Sequence, residues 1–506
     1  MQTFGNTTRS SSYILALDLG TTGNRAFVFN VEGKIIGQAY KELTQYYPQP
    51  GWLEHDPEEI WRDTCWVMQT AIKNAQVTPS EIAALGLTVQ RETCLIWDKT
   101  TGKPLHPAIV WQDRRTSAVC HQLQAQGYAE EISDRTGLVI DAYFSATKLR
   151  WLLDHCTGVD RKNILAGTID TWILWNLTGG KVHATDHSNA SRTMLMNLST
   201  GAWDQTLLEL LQIPAEILPQ ILPSLGKFGV TDPALLGTEI PITAILGDQQ
   251  ASLFGHGCDR PGLMKCTYGT GSFLVAHTGS NIVRSQRQLI STVAWTQAQN
   301  GNKLDMGYAL EGSMFTSGAC VQWLRDGIKL IKTAAETEVM ANQVTDTNKV
   351  YFVPAFSGLG APYWDMSARG AFLGITASVQ PQHLVRAVLE AIAYQVLEVV
   401  QAINASSDTP MQQLTVDGGA CENNFLMQFQ ADILGIPVER PRMRDTTVQG
   451  AAFAAGLAVG FWHDYTALVS QRQIDRIFEP GKGQHQAQAN FAMWQQAVKR
   501  TLAWGE

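Results

Sequence analysis

A short apolar strand that runs into a Gly-Thr turn and returns as a second apolar strand occurs twice in this chain. Tyr13-Ile-Leu-Ala-Leu-Asp18 enters Gly20-Thr-Thr-Gly23 and leaves as Arg25-Ala-Phe-Val-Phe-Asn30. In the second half, Leu263-Met-Lys-Cys-Thr267 enters Tyr268-Gly-Thr-Gly271 and leaves as Ser272-Phe-Leu-Val-Ala-His277. Apolar runs of this length, bounded by glycine turns, read as buried strands joined in hairpins. The first copy continues through Glu32-Gly33 into Lys34-Ile-Ile-Gly37, so an antiparallel meander is expected at the start of the fold. The repetition points to a duplicated chain whose halves face each other across a cleft.

Helices and further strands follow each meander. Asp56-Pro57-Glu-Glu-Ile-Trp61 has a capping residue, Pro at the first helical position and acids in the first turn, opening a helix to about Asn74. Ala84–Val89, Cys94–Asp98 and Ala108–Trp111 read as strands, and Lys148–Asp154 belongs to a helical middle. Pro241–Leu246 is a strand that passes at Gly247-Asp248-Gln-Gln into a helix. A helix from His383 to about Ile403, strand Leu414–Val416 and a helix from about Asn423 to Leu434 complete an α/β pattern.

Several function classes are excluded. Among 506 residues, 38 Lys+Arg stand against 46 Asp+Glu, with pI near 5.8, which argues against wrapping a nucleic-acid backbone. The eight cysteines are scattered with no C-x-x-C pair, as expected of reduced core thiols in a cytoplasmic protein. Residues 1–12 are polar and read as a disordered tail without a secretory h-region. The longest apolar run, Ala451–Trp462, is too short to span a bilayer and reads as a buried, close-packed helix. There is no P-loop, no G-x-G-x-x-G and no G-x-S-x-G, so any nucleotide chemistry needs another phosphate cradle. His183 and His187 have metal-ligand spacing but neither the helical context nor the Glu of a zincin.

The Gly-Thr turns supply that cradle, because successive backbone N–H groups and a hydroxyl form a nest for phosphate oxygens. Asp18, ending a buried strand, suits a Mg2+ ion that bridges phosphates, or simply bonds to its own turn. Gly418-Gly419 would let the backbone approach an adenosine closely. Asp248 stands where a strand becomes a helix and suits a helix cap or a catalytic base. Arg91-Glu92 is either a surface ion pair or a donor–acceptor pair matched to a polyol.

Those residues resemble the motifs of the FGGY carbohydrate kinases. Asp18-Leu-Gly-Thr-Thr, Gly247-Asp248-Gln-Gln, Tyr268-Gly-Thr-Gly and Asp417-Gly-Gly-Ala are similar to the family's phosphate and adenosine motifs. Its signature stretches are matched by Tyr143-Phe-Ser-Ala-Thr-Lys148-Leu-Arg-Trp151-Leu-Leu-Asp-His155 and by Gly370–Ile375 through His383–Glu390. Pro50–Trp61, Gln90–Thr93, Ile109–Thr116, Asn189–Met194, Tyr351–Asp365 and Asn423–Gln430 resemble the branch that acts on glycerol. The likeness runs from about residue 13 to about residue 463.

The resemblance implies two actin-like (ribonuclease H-like) domains, with ATP and glycerol in the cleft between them. Residues 13–254 would bind substrate and 255–465 nucleotide, with 466–506 as a C-terminal extension. Arg91, Glu92, Tyr143, Asp248 and Gln249 would hold glycerol, flanked by Trp111 and Phe273. Thr21, Thr22, Gly23, Arg25, Thr270, Gly318, Gln322, Gly419 and Asn423 would line the nucleotide site, and Asp18 would help hold Mg2+. Asp248 would be the base, with Mg2+, Arg25 and backbone N–H groups neutralising charge.

The resemblance further implies a homodimer or homotetramer. Two departures stand out: Leu19 replaces a family Gln, and Gly23-Asn24 replace two Ser, removing an amide and two hydroxyls near the phosphates. Phe228–Glu239 lacks the Gly-rich basic loop through which some bacterial members bind a sugar bisphosphate inhibitor, so that inhibition is not expected. The competing expectations are a kinase for a larger polyol or sugar such as xylulose or erythritol, and a catalytically silent actin-like ATPase scaffold.

Overall fold

The computed structural model describes residues 12–156, 158–285, 288–298, 304–481 and 484–505. Residues 1–11 of the expected tail lie outside them.

The first meander forms as its sequence dictates. Strands β1 (Tyr13–Leu19), β2 (Gly23–Asn30) and β3 (Ile35–Glu42) pair antiparallel, with Asp18 opposite Arg25 beside the Gly20–Gly23 turn. Helix α1 (Pro57–Ala75) starts at Asp56, whose side chain accepts from the Glu58 amide; such a cap stabilises a helix by about 1 kcal/mol. Strands β4 (Ile82–Val89) and β5 (Ile242–Gly247) then run parallel to β1, giving a five-stranded sheet in the order β5-β4-β1-β2-β3. Helix α2 (Asp248–Gly255) follows directly from β5.

The second half repeats this path. Strands β6 (Leu263–Tyr268), β7 (Ser272–Gly279), β8 (Ile290–Ala298) and β9 (Leu304–Met314) are antiparallel neighbours. After helix α3 (Pro381–Ser406), strand β10 (Gln413–Asp417) lies parallel to β6. Helix α4 (Asn424–Leu434) leads to β11 (Val438–Pro441), parallel to β10, and helix α5 (Thr446–Ala458) follows. The sheet order is β8-β9-β7-β6-β10-β11 with β12 (Ile474–Phe478) at its edge. Its central run β9-β7-β6-β10-β11 has the order and direction of β3-β2-β1-β4-β5, so the duplication read from the two Gly-Thr hairpins extends to the whole sheet.

The helices that follow the fifth strand of each sheet, α2 and α5, cross at backbone contact. A Cβ on Gly450 would lie 1.8 Å from the Ala251 carbonyl oxygen, and one on Gly255 would lie 2.3 Å from the Thr446 oxygen. Only glycine admits such an approach. Helix α5 takes up the first part of the apolar run expected to be a buried helix: Ala451–Gly456 are buried and the helix packs onto Ile14, Ala16 and Phe29 of the first sheet, but it ends at Ala458, and residues 458–460 are exposed. Among the described residues no helix is long and apolar enough to cross a membrane.

The segment beyond residue 466 is less separate than the sequence reading had it. Strand β12 pairs antiparallel with β11, and helix α6 (Gln484–Lys499) buries Trp494 completely in the second core. The Trp494 indole donates to the Phe352 carbonyl at 2.8 Å, so both pieces complete the C-terminal half.

Candidate active site

The substrate-side residues are assembled where the first sheet hands over to a small four-stranded sheet made by Glu54–His55, Ala108–Ile109, Cys94–Asp98 and Ile164–Thr168. The chain turns between them at residues 90–93, and Glu92 takes a φ of 60°, a left-handed conformation that costs of order 1–3 kcal/mol. This turn is covered by neighbouring chain. Arg91 and Glu92 are each 2% exposed, which removes the surface ion-pair alternative.

Arg91 is bonded on every side. Its Nη1 and Nη2 donate to Glu311 at 2.6 and 2.9 Å, Nη2 reaches the Tyr143 hydroxyl at 3.3 Å, and Nε lies 3.2 Å from Asp248 Oδ1. Arg192, fully buried, donates to Glu92 at 2.6 Å and to Glu311 at 3.1 Å. Two arginines and two glutamates thus balance within one dry cluster. Burial alone would raise the Glu311 carboxyl, but Arg192 and Arg91 hold it down at about 2. Burial likewise pushes the Tyr143 hydroxyl up, reinforced by Glu92.

Sequence reasoning missed Glu311 and gave Arg192 no role. The signal for Glu311 was a lone acid in the apolar strand Tyr308-Ala-Leu-Glu311, and Arg192 stood unassigned inside Asn189–Met194.

Asp248 is not a helix cap. Gly247 occupies the cap position, and the Asp248 carboxylate instead accepts from the Gln249 amide at 2.7 Å with 27% of its side chain exposed. It faces a cavity of about 310 Å³ lined also by Arg91, Glu92, Trp111, Tyr143, Gln249 and Phe273. The Trp111 ring meets Tyr143 at 5.6 Å and Phe273 at 5.7 Å between centroids, both edge-on, closing one wall. Buried Lys265 donates to Gln249 Oε1 and, at 2.8 Å, to Thr267.

The residues expected at the nucleotide divide into groups. Thr270, Gly318, Gln322, Gly419 and Asn423 line a second cavity of about 490 Å³ between the β6–β7 turn and the start of α4. Thr21 and Thr22 line the first cavity, and the two share Gly269, Thr270 and Gln322. Gly418 packs on the Tyr268 backbone, while a Cβ on Gly419 would meet nothing. Asp417 faces inward, accepting from Ser252 at 2.8 Å and standing 3.2 Å from His256.

Gly23 and Arg25 stand outside both linings: Arg25 donates to Asp445 at 2.8 Å and lies 5.6 Å over the Tyr40 ring. The departures near the turn also point away from the cavity. Leu19 is fully buried in the first core, the Asn24 amide donates to the Ile60 carbonyl at 3.3 Å, and a Cβ on Gly23 would strike the Tyr40 ring.

Asp18 stands near the end of β1 opposite Arg25, beside the Gly20–Gly23 turn, and is in neither cavity lining. Withdrawal from water pushes its carboxyl up to about 7; Arg25 opposes the shift, and Asp248, Asp445 and Asp417 add to it. A carboxyl surrounded by other carboxylates fits a divalent cation. Among the described residues, however, no three His, Cys, Asp or Glu side chains form a closed metal cage. Mg2+ suits such a site, since it keeps most of its water and takes phosphate oxygens. His183 Nε2 stands 2.9 Å from the Ala166 carbonyl and His187 Nδ1 3.0 Å from the Leu222 carbonyl.

Comparisons with known proteins agree with this geometry. The N-terminal domain of the FGGY family of carbohydrate kinases matches residues 13–255, and its C-terminal domain matches residues 264–459. A glycerol kinase of Nostoc sp. is 84% identical over 495 residues, covering 98% of this chain and 99% of its own. Among solved structures, a Plasmodium falciparum glycerol kinase with ADP superposes with a TM-score of 0.88 at 35% identity, covering 97% of this chain and 98% of that one. A gluconate kinase of Lactobacillus acidophilus reaches a TM-score of 0.87 at 22% identity, covering 97% and 99%, so the same fold serves a different substrate.

Proposed function

The chain belongs to the FGGY family of carbohydrate kinases, and from that premise we infer that it transfers the γ-phosphoryl group of ATP to glycerol, yielding sn-glycerol 3-phosphate. The observation that carries the inference is the cavity in which Arg91, Glu92 and Asp248 meet under the Trp111–Phe273 wall. That cavity shares Gly269, Thr270 and Gln322 with the second cavity, of about 490 Å³. Two acceptors held by Arg91 and Arg192 and an aromatic wall match a short polyol, whose hydroxyls can donate while its carbons are apolar.

On this reading Asp248 accepts the proton of a terminal hydroxyl as that oxygen attacks the γ-phosphorus. Arg91, fixed by Glu311, holds the Asp248 carboxylate through its Nε and leaves Glu92 to orient a neighbouring hydroxyl. A carboxylate is a weak base, but phosphoryl transfer has a loose transition state, so the proton leaves late and most of the rate comes from positioning. The backbone N–H groups of the two Gly-Thr turns would carry phosphate oxygens. Bound Mg2+, held from Asp18 through water, would neutralise phosphate charge. The eight free thiols fit a reducing, cytoplasmic setting.

An ATP-dependent assay comparing glycerol with xylulose, erythritol and dihydroxyacetone tests the substrate; turnover with xylulose and none with glycerol overturns it. Asp248→Asn is expected to lower kcat by at least about 100-fold while nucleotide affinity stays within about twofold. Unchanged turnover would remove Asp248 from the role of base.

A further inference from the structure

We propose that His55, a buried residue with no assigned role, is a positioning residue that closes a hydrogen-bond circuit between the phosphate turn and the glycerol pocket. The proposal rests on the glycerol kinase reading and concerns how its two subsites are joined.

The circuit returns to its starting point. From the Gly20–Gly23 turn, the Thr21 carbonyl accepts from Gln45 Nε2 at 2.8 Å, and Gln45 Oε1 stands 3.0 Å from His55 Nε2. His55 Nδ1 lies 3.3 Å from Gln90 Nε2, which also donates to the Gly20 carbonyl at 3.3 Å. Gln90 Oε1 accepts from the Thr93 hydroxyl at 3.0 Å, and that hydroxyl accepts the Trp111 amide at 3.2 Å. The Trp111 indole then donates to Thr21 Oγ1 at 2.9 Å.

Every donor direction in this ring is forced. The Gln45 NH2 is taken up by two carbonyls, those of Thr21 and Leu43, so its oxygen must face His55, and His55 Nε2 must carry the hydrogen. The Gly20 carbonyl can only accept, so it fixes the Gln90 NH2 on its own side, where that group also faces His55 Nδ1, and leaves Gln90 Oε1 to accept the Thr93 hydroxyl hydrogen. Only the neutral Nε2–H imidazole satisfies both neighbours; a proton on Nδ1 would oppose the Gln90 NH2. Burial pushes the imidazole down to about 3, in keeping with that form.

The functional product is the Thr21 hydroxyl. Accepting the Trp111 indole N–H occupies one lone pair of this hydroxyl and so restricts where its hydrogen can point, and Thr21 lines the cavity beside Thr270 and Asp248. Trp111 is at once the pocket wall and a member of the ring, so ordering of that wall by glycerol aims the donor that meets phosphate.

The test measures nucleotide affinity with and without saturating glycerol in wild type, His55→Leu and Thr93→Val. Thr93→Val is nearly isosteric and breaks the ring at another point, so it serves even where His55→Leu does not fold. Wild type is expected to show a coupling factor of at least about 5, falling below about 2 in both variants, with nucleotide affinity in the absence of glycerol changed less than about threefold. A purely structural His55 would shift Tm or both affinities alike and leave the coupling factor alone. Retention of the wild-type factor by a folded variant, or a wild-type factor of one in enzyme that turns over glycerol, overturns the proposal without touching the substrate assignment. Wild type that fails to phosphorylate glycerol overturns both.

Discussion

Replacing Glu311 with Gln removes one charge from a cluster that holds two of each sign. Of the four buried groups, Arg91 and Arg192 would then share Glu92, with the part-exposed Asp248 left besides at Arg91; Glu311, Arg192 and Arg91 are all 2% exposed or less. Breaking a buried ion pair by removing one member costs about 3–5 kcal/mol, because the remaining charge cannot return to water. For a folding unit of roughly 200 residues, each kcal/mol lowers Tm by about 2–4 °C, so a drop of about 6–20 °C is expected.

A second effect falls on catalysis. The guanidinium of Arg91 loses its two-point hold on Glu311, and its contact with Asp248 loosens. A hydrogen bond to a charged group is worth about 1.5–3 kcal/mol, or about 10- to 100-fold in kcat/KM for glycerol. Adding Arg192→Met restores charge parity, and the double variant should recover at least about 1 kcal/mol relative to the sum of the single losses. The assay is thermal unfolding beside glycerol kinetics on all three variants. A single Glu311→Gln variant that melts within about 2 °C of wild type with unchanged glycerol kinetics would refute the charge balance drawn here.

Two further outcomes follow from other parts of the cleft. The Asp18 carboxyl, ordinarily near 3.8, sits at about 7 in the folded chain, so the folded state binds the extra proton and stability falls as pH rises across that interval. Without nucleotide, Asp18→Asn should therefore gain Tm relative to wild type as pH rises through this window and match it below; a constant difference in pH-dependent melting would refute the burial of that charge. Gly450→Ala places a methyl group 1.8 Å from the Ala251 carbonyl oxygen where α2 and α5 cross. It should destabilise by about 1–3 kcal/mol or more in denaturant unfolding, and a neutral result would mean the helices are not in backbone contact.

What the sequence made legible was local. The meander strands are short apolar runs closed by glycine turns, and α1 begins at Asp56-Pro57 with the chemistry of a helix start. The orientation of Leu19 was also available: alternate residues of a strand face opposite ways, so a residue beside Asp18 belongs to the core when Asp18 faces the cleft. Hidden from spacing was everything set by pairing across the chain. Glu311 meets Arg91 across 220 residues, and nothing near either residue announces the other. The choice between cap and base for Asp248 turned on whether Gly247 takes the cap position, which depends on how β5 delivers the chain. Arg91-Glu92 looked like surface because the sheet that buries it is assembled from four separate pieces of sequence.

Those long-range pairings bear on how a kinase of this design avoids wasting ATP on water. The wall of the proposed glycerol pocket is Trp111 from the first half and Phe273 from the second, and Arg91 of the first half is held by Glu311 of the second. Neither half alone builds the pocket. The phosphate nests are divided in the same way, with Thr21 and Thr22 on one side and Thr270 on the other. Any opening between α2 and α5 that separates the halves therefore dismantles the acceptor site and the phosphate cradle together. A water molecule entering an opened cleft would find Arg91 released from Glu311 and the two nests apart. Glycerol bound as proposed would touch both halves and favour the closed state by its own binding energy, and that preference would link transfer to the presence of the correct acceptor.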